Sequence, residues 1–133
     1  MELIKFEDLL GKIIIKIEGK KGDEKLVFTL DNGERYHLWH YQNCCESVFL
    51  EDICGEIKDL LNSPITIAEE TSSNKNPQGI EIPEDQESFT WTFYRIGTVK
   101  GFVSIRWYGQ SNGYYSESVD FGKCDDANSE PDD

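Results

Sequence analysis

Positive charge is what this chain has least of. Thirteen Lys and Arg stand against 26 Asp and Glu, for a formal net charge of −13. The deficit is uneven. Residues 1–25 hold six Lys and six acids and balance, so residues 26–133, with 7 bases and 20 acids, carry the whole −13. Phosphate backbones are bound by clustered Lys and Arg, and no such cluster exists here, so direct DNA or RNA binding is not expected. Acidity alone is first a statement about solubility, although it also suits a basic protein partner.

Long apolar runs are missing as well. No uninterrupted run exceeds three residues, as in Ile13-Ile14-Ile15, whereas a bilayer span needs about 20. The start, Met1-Glu2-Leu3-Ile4-Lys5-Phe6-Glu7-Asp8, places acids where a secretory leader needs bases. The expectation is a protein neither exported nor inserted, at work in the cytoplasm.

Cysteine is too sparse and too oddly spaced for a disulfide framework. Cys44 and Cys45 are neighbours, with Cys54 and Cys124 elsewhere, and a bridge between adjacent residues is strained. All four are therefore read as thiols, consistent with a reducing compartment. Phosphate-cradling Gly-rich loops, H-E-x-x-H, EF-hand loops and C-x-x-C are all absent. No catalytic residue is assigned and no cofactor is implied.

What is present is enough apolar material for a core: 38% hydrophobic residues, including seven Phe, six Tyr and three Trp in 133 residues. That suits one domain. Residues 12–18 alternate, with Ile13, Ile15 and Ile17 on one face, and read as a strand. Residues 24–31 alternate through Leu26, Phe28 and Leu30, and Asn32-Gly33 predicts a two-residue hairpin turn into a strand over 34–40 with Tyr36 and Leu38 inward.

Ser47 offers a helix cap, and Phe49, Ile53, Ile57, Leu60 and Leu61 recur at helical spacing, so one main helix is expected over about 47–61. Gly55 costs such a helix about 1 kcal/mol and marks a close approach or an early break. Asn62-Ser63-Pro64 ends it, and residues 64–70 read as a short strand with Ile65 and Ile67 inward.

Residues 71–87 are polar, carry Pro77, Gly79 and Pro83, and read as a mobile loop or lid. Residues 88–96, 102–108 and 114–121 read as a three-stranded meander, with Val103, Ile105 and Trp107 on one face of its middle strand. Aromatics on both faces of that strand call for cover on both sides. The expected fold is α+β: an antiparallel sheet of about six to seven strands, a hairpin plus the meander, packed against one helix. Residues 1–121 make the domain, and 122–133 an acidic, disordered tail.

Three constellations could carry chemistry. His37, His40, Cys44 and Cys45 have the donor types of a tetrahedral zinc site, but 37 and 40 fall on opposite faces of a strand and adjacent cysteines rarely chelate one ion. Small core residues or a tight turn before the helix account for the cysteines better than a metal does, with a reactive thiol at the helix N-terminus as the remaining alternative. Cys44 or Cys45 as a nucleophile would need His37 or His40 as base, and no family signature surrounds either. Glu46 and Ser47 read as caps, with Glu51 and Asp52 favoured in the first helical turns.

The third runs from Trp107 and Tyr108 through Asn112, Tyr114 and Tyr115 to Glu117. Amphipathic rings beside Asn and Ser make contact area at low entropy cost, while Asn112-Gly113 is equally what a hairpin turn requires. A binding surface is therefore assigned to Trp107, Tyr108, Asn112, Tyr114, Tyr115 and Glu117, with Glu46 and Asp52.

Two stretches, His40-Tyr41-Gln42-Asn43-Cys44-Cys45-Glu46-Ser47-Val48-Phe49-Leu50-Glu51-Asp52-Ile53-Cys54-Gly55 and the run from Trp91-Thr92-Phe93-Tyr94 through Lys100-Gly101 and Trp107-Tyr108-Gly109-Gln110-Ser111-Asn112-Gly113-Tyr114-Tyr115-Ser116-Glu117 to Phe121, resemble a family of small uncharacterised proteins of tailed phages and prophages. The resemblance spans roughly residues 11–121 and implies a phage accessory protein acting in the bacterial host's cytoplasm, with no activity to transfer. Three readings follow: a non-enzymatic protein that binds a host or phage protein through an acidic, aromatic surface; a small-ligand, nucleotide-like binder whose rings stack a base under the 71–87 lid; and a thiol enzyme. Oligomeric state is not fixed by sequence.

Overall fold

A computed structural model describes residues 2–42, 45–74, 88–113 and 116–123. Among these described residues nine strands follow in order: β1 (Glu2–Leu3), β2 (Ile14–Glu18), β3 (Lys25–Leu30), β4 (Arg35–Trp39), β5 (Ser47–Cys54), β6 (Ile67–Ser73), β7 (Ser88–Thr98), β8 (Gly101–Ser111) and β9 (Asp120–Lys123). Helical structure among the described residues is confined to two 3-10 turns, Phe6–Leu9 and Ile57–Leu60. Neither is long or apolar enough to cross a membrane.

Every pairing between these strands is antiparallel. One sheet has the order β1-β9-β4-β3-β2, the other β5-β8-β7-β6. A single apolar cluster joins them: Leu26, Phe28, Leu30, Leu38 and Phe121 from the first meet Val48, Leu50, Ile96, Ile105 and Trp107 from the second. This two-sheet architecture replaces the expected sheet-on-helix fold.

The main helix expected over 47–61 is strand β5 followed by a 3-10 turn. A β-bulge explains the error. Leu50 pairs with Trp107 and Ile53 with Ile105, and the register slips between Leu50 and Asp52. Three steps on β5 therefore match two on β8, so the strand's inward positions run Val48, Leu50, Ile53 rather than at strict period two. That irregular spacing, with Phe49 half-buried and Ile57 beyond, imitates a helical stripe. Gly55 does break the element: its φ is +123°, and a Cβ there would lie 2.9 Å from the carbonyl oxygen of Phe102.

β2 shows the same effect. Its register shifts between Ile14 and Lys16, and Ile14 is fully buried while Ile15 is 46% exposed. The expected inward face of Ile13, Ile15 and Ile17 is thus held only in part, since Ile17 is half-buried.

The 31–33 turn falls where Asn32-Gly33 placed it, in a slightly longer form. Gly33 N–H donates to the Leu30 carbonyl at 3.0 Å and Leu30 N–H to the Glu34 carbonyl at 2.8 Å, closing a three-residue loop with Gly33 at φ +90°. Leu26, Phe28, Leu30, Tyr36 and Leu38 are buried as the alternation requires.

The meander is corrected too. β7 and β8 form a hairpin with Thr98 paired to Gly101, but β9 leaves their sheet and pairs with β4 and β1. Gly122 and Lys123, assigned to the tail, are strand residues of β9, while 124–133 lie outside the described residues. Of the 71–87 loop, Thr71–Ser73 belong to β6, and 75–87 likewise lie outside.

Candidate functional site

The β5–β8 ladder makes neighbours of the two segments that the sequence singled out. Ser47 pairs with Gln110, Val48 with Gly109, Phe49 with Tyr108, Leu50 with Trp107 and, past the bulge, Asp52 with Arg106. Pleating then sorts their side chains. Val48, Leu50 and Trp107 enter the core, with Trp107 fully buried. Phe49 and Tyr108 lie on the opposite, outer face.

That outer face is aromatic. The Tyr108 ring lies 4.7 Å from Trp91, 6.0 Å from Phe49 and 6.4 Å from Phe89, centroid to centroid. Arg106 sits over Trp91 at 5.3 Å and Arg95 over Phe102 at 4.4 Å, distances at which a ring quadrupole attracts a cation. Arg106 is held by acids: its Nε lies 2.5 Å from Glu51 Oε2, and Nη2 lies 3.7 Å from Asp52 Oδ2. Phe49, Phe89 and Phe93 stay half-buried, Phe102 is 50% exposed, and Val99 at the β7–β8 turn is 81% exposed. A shallow cleft of about 120 Å³ opens between Asp52, Cys54, Phe93 and Arg106.

Behind this face lie two sequestered carboxylates. Glu46, expected to cap a helix, is buried and faces His40, whose Nε2 lies 2.7 Å from Glu46 Oε2. The other ring nitrogen, Nδ1, donates to the Ser118 carbonyl at 2.6 Å, since a carbonyl can only accept. Gln42 Nε2 donates to the Glu46 carbonyl at 2.5 Å. Glu117 is also buried. It accepts a hydrogen bond from Thr90 Oγ1 at 2.8 Å and another from the Ser111 hydroxyl. Burial, with the Glu117 charge adding to it, pushes the Tyr108 phenol above its ordinary range.

Gly109 permits this arrangement. A Cβ at Gly109 would lie 2.7 Å from the Glu117 carbonyl oxygen and 3.0 Å from the Glu117 Cβ, so the chain at Glu117 rests directly on the β8 backbone.

The residues assigned to a binding surface therefore separate. Trp107 is core, Tyr108 is buried among rings, and Glu46 and Glu117 are held in internal hydrogen bonds. Asp52 is half-buried at the outer face and Asn112 is exposed at the turn. Tyr114 and Tyr115 lie outside the described residues. Phe89, Trp91, Phe93 and Phe102 were not singled out, although Phe89-Thr90-Trp91-Thr92-Phe93 carries rings at every second position, the period of one strand face.

The sulfur and imidazole set is rearranged as well. Cys45 is disulfide-bonded and Cys54 is an exposed free thiol, so the four-thiol expectation fails at Cys45. Adjacency disfavours only one of the pairings open to four cysteines. With it goes the thiol premise for a reducing compartment. Cys44 lies outside the described residues. His37 is buried with its ring 4.1 Å from Trp39, and His40 is turned to Glu46. Among the described residues no group of three His, Cys, Asp or Glu side chains is placed to hold a metal.

Two larger clefts flank the sheet. One of about 500 Å³ lies between Lys5–Glu7 and Ala68–Ser72. The other, about 410 Å³, lies between Gly22, Glu24, Glu46 and Phe49. Both are lined by carboxylates, which repel a phosphate.

Fold and site together define a two-sheet antiparallel β protein with an aromatic outer face and a buried His–Glu pair. The chain belongs to a family described as a domain of unknown function, DUF7448, whose model matches residues 7–121. No curated protein and no solved structure matches it.

Proposed function

We propose that this chain is a non-enzymatic binding protein that engages a host or phage protein through the outer face of its four-stranded sheet. One observation carries the reading. Half-buried Phe49, Phe89 and Phe93 and the 50% exposed Phe102 share that face with Glu51 and Asp52, and partly exposed rings beside charged groups are the composition of a protein interface. The net charge of −13 adds a long-range attraction for a basic partner. The resemblance to phage and prophage proteins supports placing that partner in an infected bacterium.

The nucleotide-like alternative draws less support, because the clefts large enough for a base and its phosphates are acid-lined. The test is a cross-linking pull-down from host lysate with the wild-type chain and with a Phe93→Ser, Phe102→Ser double variant. The partner bound by wild type should be lost, with the variant's near-ultraviolet spectrum showing an intact fold. Equal recovery by a folded variant would exclude this face.

A further inference from the structure

Among the described residues the four-stranded sheet ends in β6, which has a strand on one side only. In an antiparallel pair, alternate residues turn their N–H and C=O groups away from the partner, so an edge strand offers a row of donors and acceptors. Among the described residues, Ala68–Ser72 receive backbone bonds from β7 and from nothing else. The opposite edge differs. There Gly22 N–H donates to the Leu50 carbonyl at 2.7 Å, and Leu50 N–H donates to the Asp23 carbonyl at 2.8 Å, so the 20–23 loop occupies the β5 edge at Leu50.

Beside the open edge runs the cleft of about 500 Å³, with Lys5–Glu7 forming its other wall. Phe6 supplies an apolar floor, buried with its ring 4.7 Å from Tyr94. The charge is mostly acidic, Glu7, Glu69 and Glu70 against Lys5. Partial desolvation in the cleft pushes the Glu70 carboxyl above its usual range and the Asp120 charge adds to this, while the nearby Tyr94 phenol opposes it. An incoming cation would relieve that crowding.

We propose that β6 receives an extended peptide segment carrying Lys or Arg, which adds as a fifth strand along Ala68–Ser72 and sets a basic side chain against Glu70 in the cleft. Strand addition of this kind draws affinity from the main chain and selectivity from alternate side chains. A second copy of this chain fits poorly in a register centred on the cleft, because antiparallel pairing of two β6 strands there sets Glu69 of one copy opposite Glu70 of the other, and like charges across a ladder destabilise it. The surface is distinct from the aromatic face, so either proposal can fail without the other.

The probe is a short, end-blocked peptide of alternating Lys and Val, compared with a Glu/Val counterpart and with a Lys/Val version N-methylated along one edge. Hydrogen exchange should show new protection at amides 67–72. N-methylation should weaken binding by about tenfold or more, and Glu70→Gln by a smaller factor. Phe102→Ser should change nothing. Equal binding of the N-methylated peptide reduces the effect to charge attraction and overturns strand addition. So does absence of binding, or protection at 67–72 without peptide in a chain that sediments as a dimer.

Discussion

His40 and Glu46 meet in the interior with 2.7 Å between Nε2 and Oε2, their side chains 4% and 0% exposed. Because the Nδ1 hydrogen is given to Ser118, the contact to Glu46 must contain a second proton, shared between ring and carboxyl. The pair thereby ties the residue after β4 to the residue before β5 and to the 116–119 connection. Removing one member breaks a buried pair, at about 3–5 kcal/mol. Glu46→Ala is therefore expected to lower the urea midpoint sharply. Glu46→Gln, which can donate to a neutral ring, should recover much of the loss. Equal midpoints for the two variants would show that the contact holds nothing.

The strand identity of 47–54 is open to the same measurement. Leu50 is fully buried opposite Trp107, and Leu50→Ala should cost about 2–5 kcal/mol by transfer and cavity terms. Phe49 is half-buried on the outer face, and Phe49→Ala should cost clearly less despite removing more atoms. In a helix with Phe49 at the centre of its apolar stripe, that order would be reversed.

Gly109→Ala is expected to destabilise by about 1–3 kcal/mol through overpacking, since the new methyl meets the Glu117 carbonyl at 2.7 Å. Gly113→Ala gives a contrast, because nothing lies within 4 Å of that site and only its φ of +90° opposes a side chain. Loss of the Thr90–Glu117 contact in Gly109→Ala should appear as faster amide exchange near residue 117. Unchanged exchange there would separate the close approach from the carboxylate's placement.

Glu70 has a raised carboxyl, so the folded state favours its protonated form. A group with a raised folded pKa stabilises below its unfolded value, near about 4.5, and that contribution is lost as pH rises through the folded value. Glu70→Gln should accordingly raise the melting temperature slightly at neutral pH, and the gain should vanish on acidification below the ordinary carboxylate range. A gain that persists in acid would have another origin. Glu70 is exposed, so solvent screening keeps the effect small.

Legibility in the sequence followed regularity. The 25–39 hairpin and the 88–111 hairpin could be read because apolar residues recur there at every second position, as in Leu26, Phe28 and Leu30 or Val103, Ile105 and Trp107, and Asn-Gly or Gly turns punctuate them. β5 and the inward face of β2 could not, because each contains a bulge that shifts parity, and a shifted period two passes for helical spacing. The departure of β9 to the other sheet is a choice of neighbour, which alternation along one strand does not encode. At the site, Glu46 and Glu117 were visible as notable polar residues, but their burial depends on partners far away in the chain. His40 meets Ser118 across 78 positions, and Thr90 meets Glu117 across 27. The outer rings were legible in Phe89-Thr90-Trp91-Thr92-Phe93, whose alternation marks one strand face.

The 20–23 loop that caps β5 also limits what this molecule can build. With β5 held at Leu50 by the chain's own backbone, and β6 bonded among the described residues to β7 alone, the two flanks of that sheet are unequal templates. A guest strand along β5 would first have to displace the Gly22 and Asp23 bonds. Whatever docks along β6 should therefore saturate at one per chain, and ribbon-like growth through this sheet meets occupied backbone at its next step.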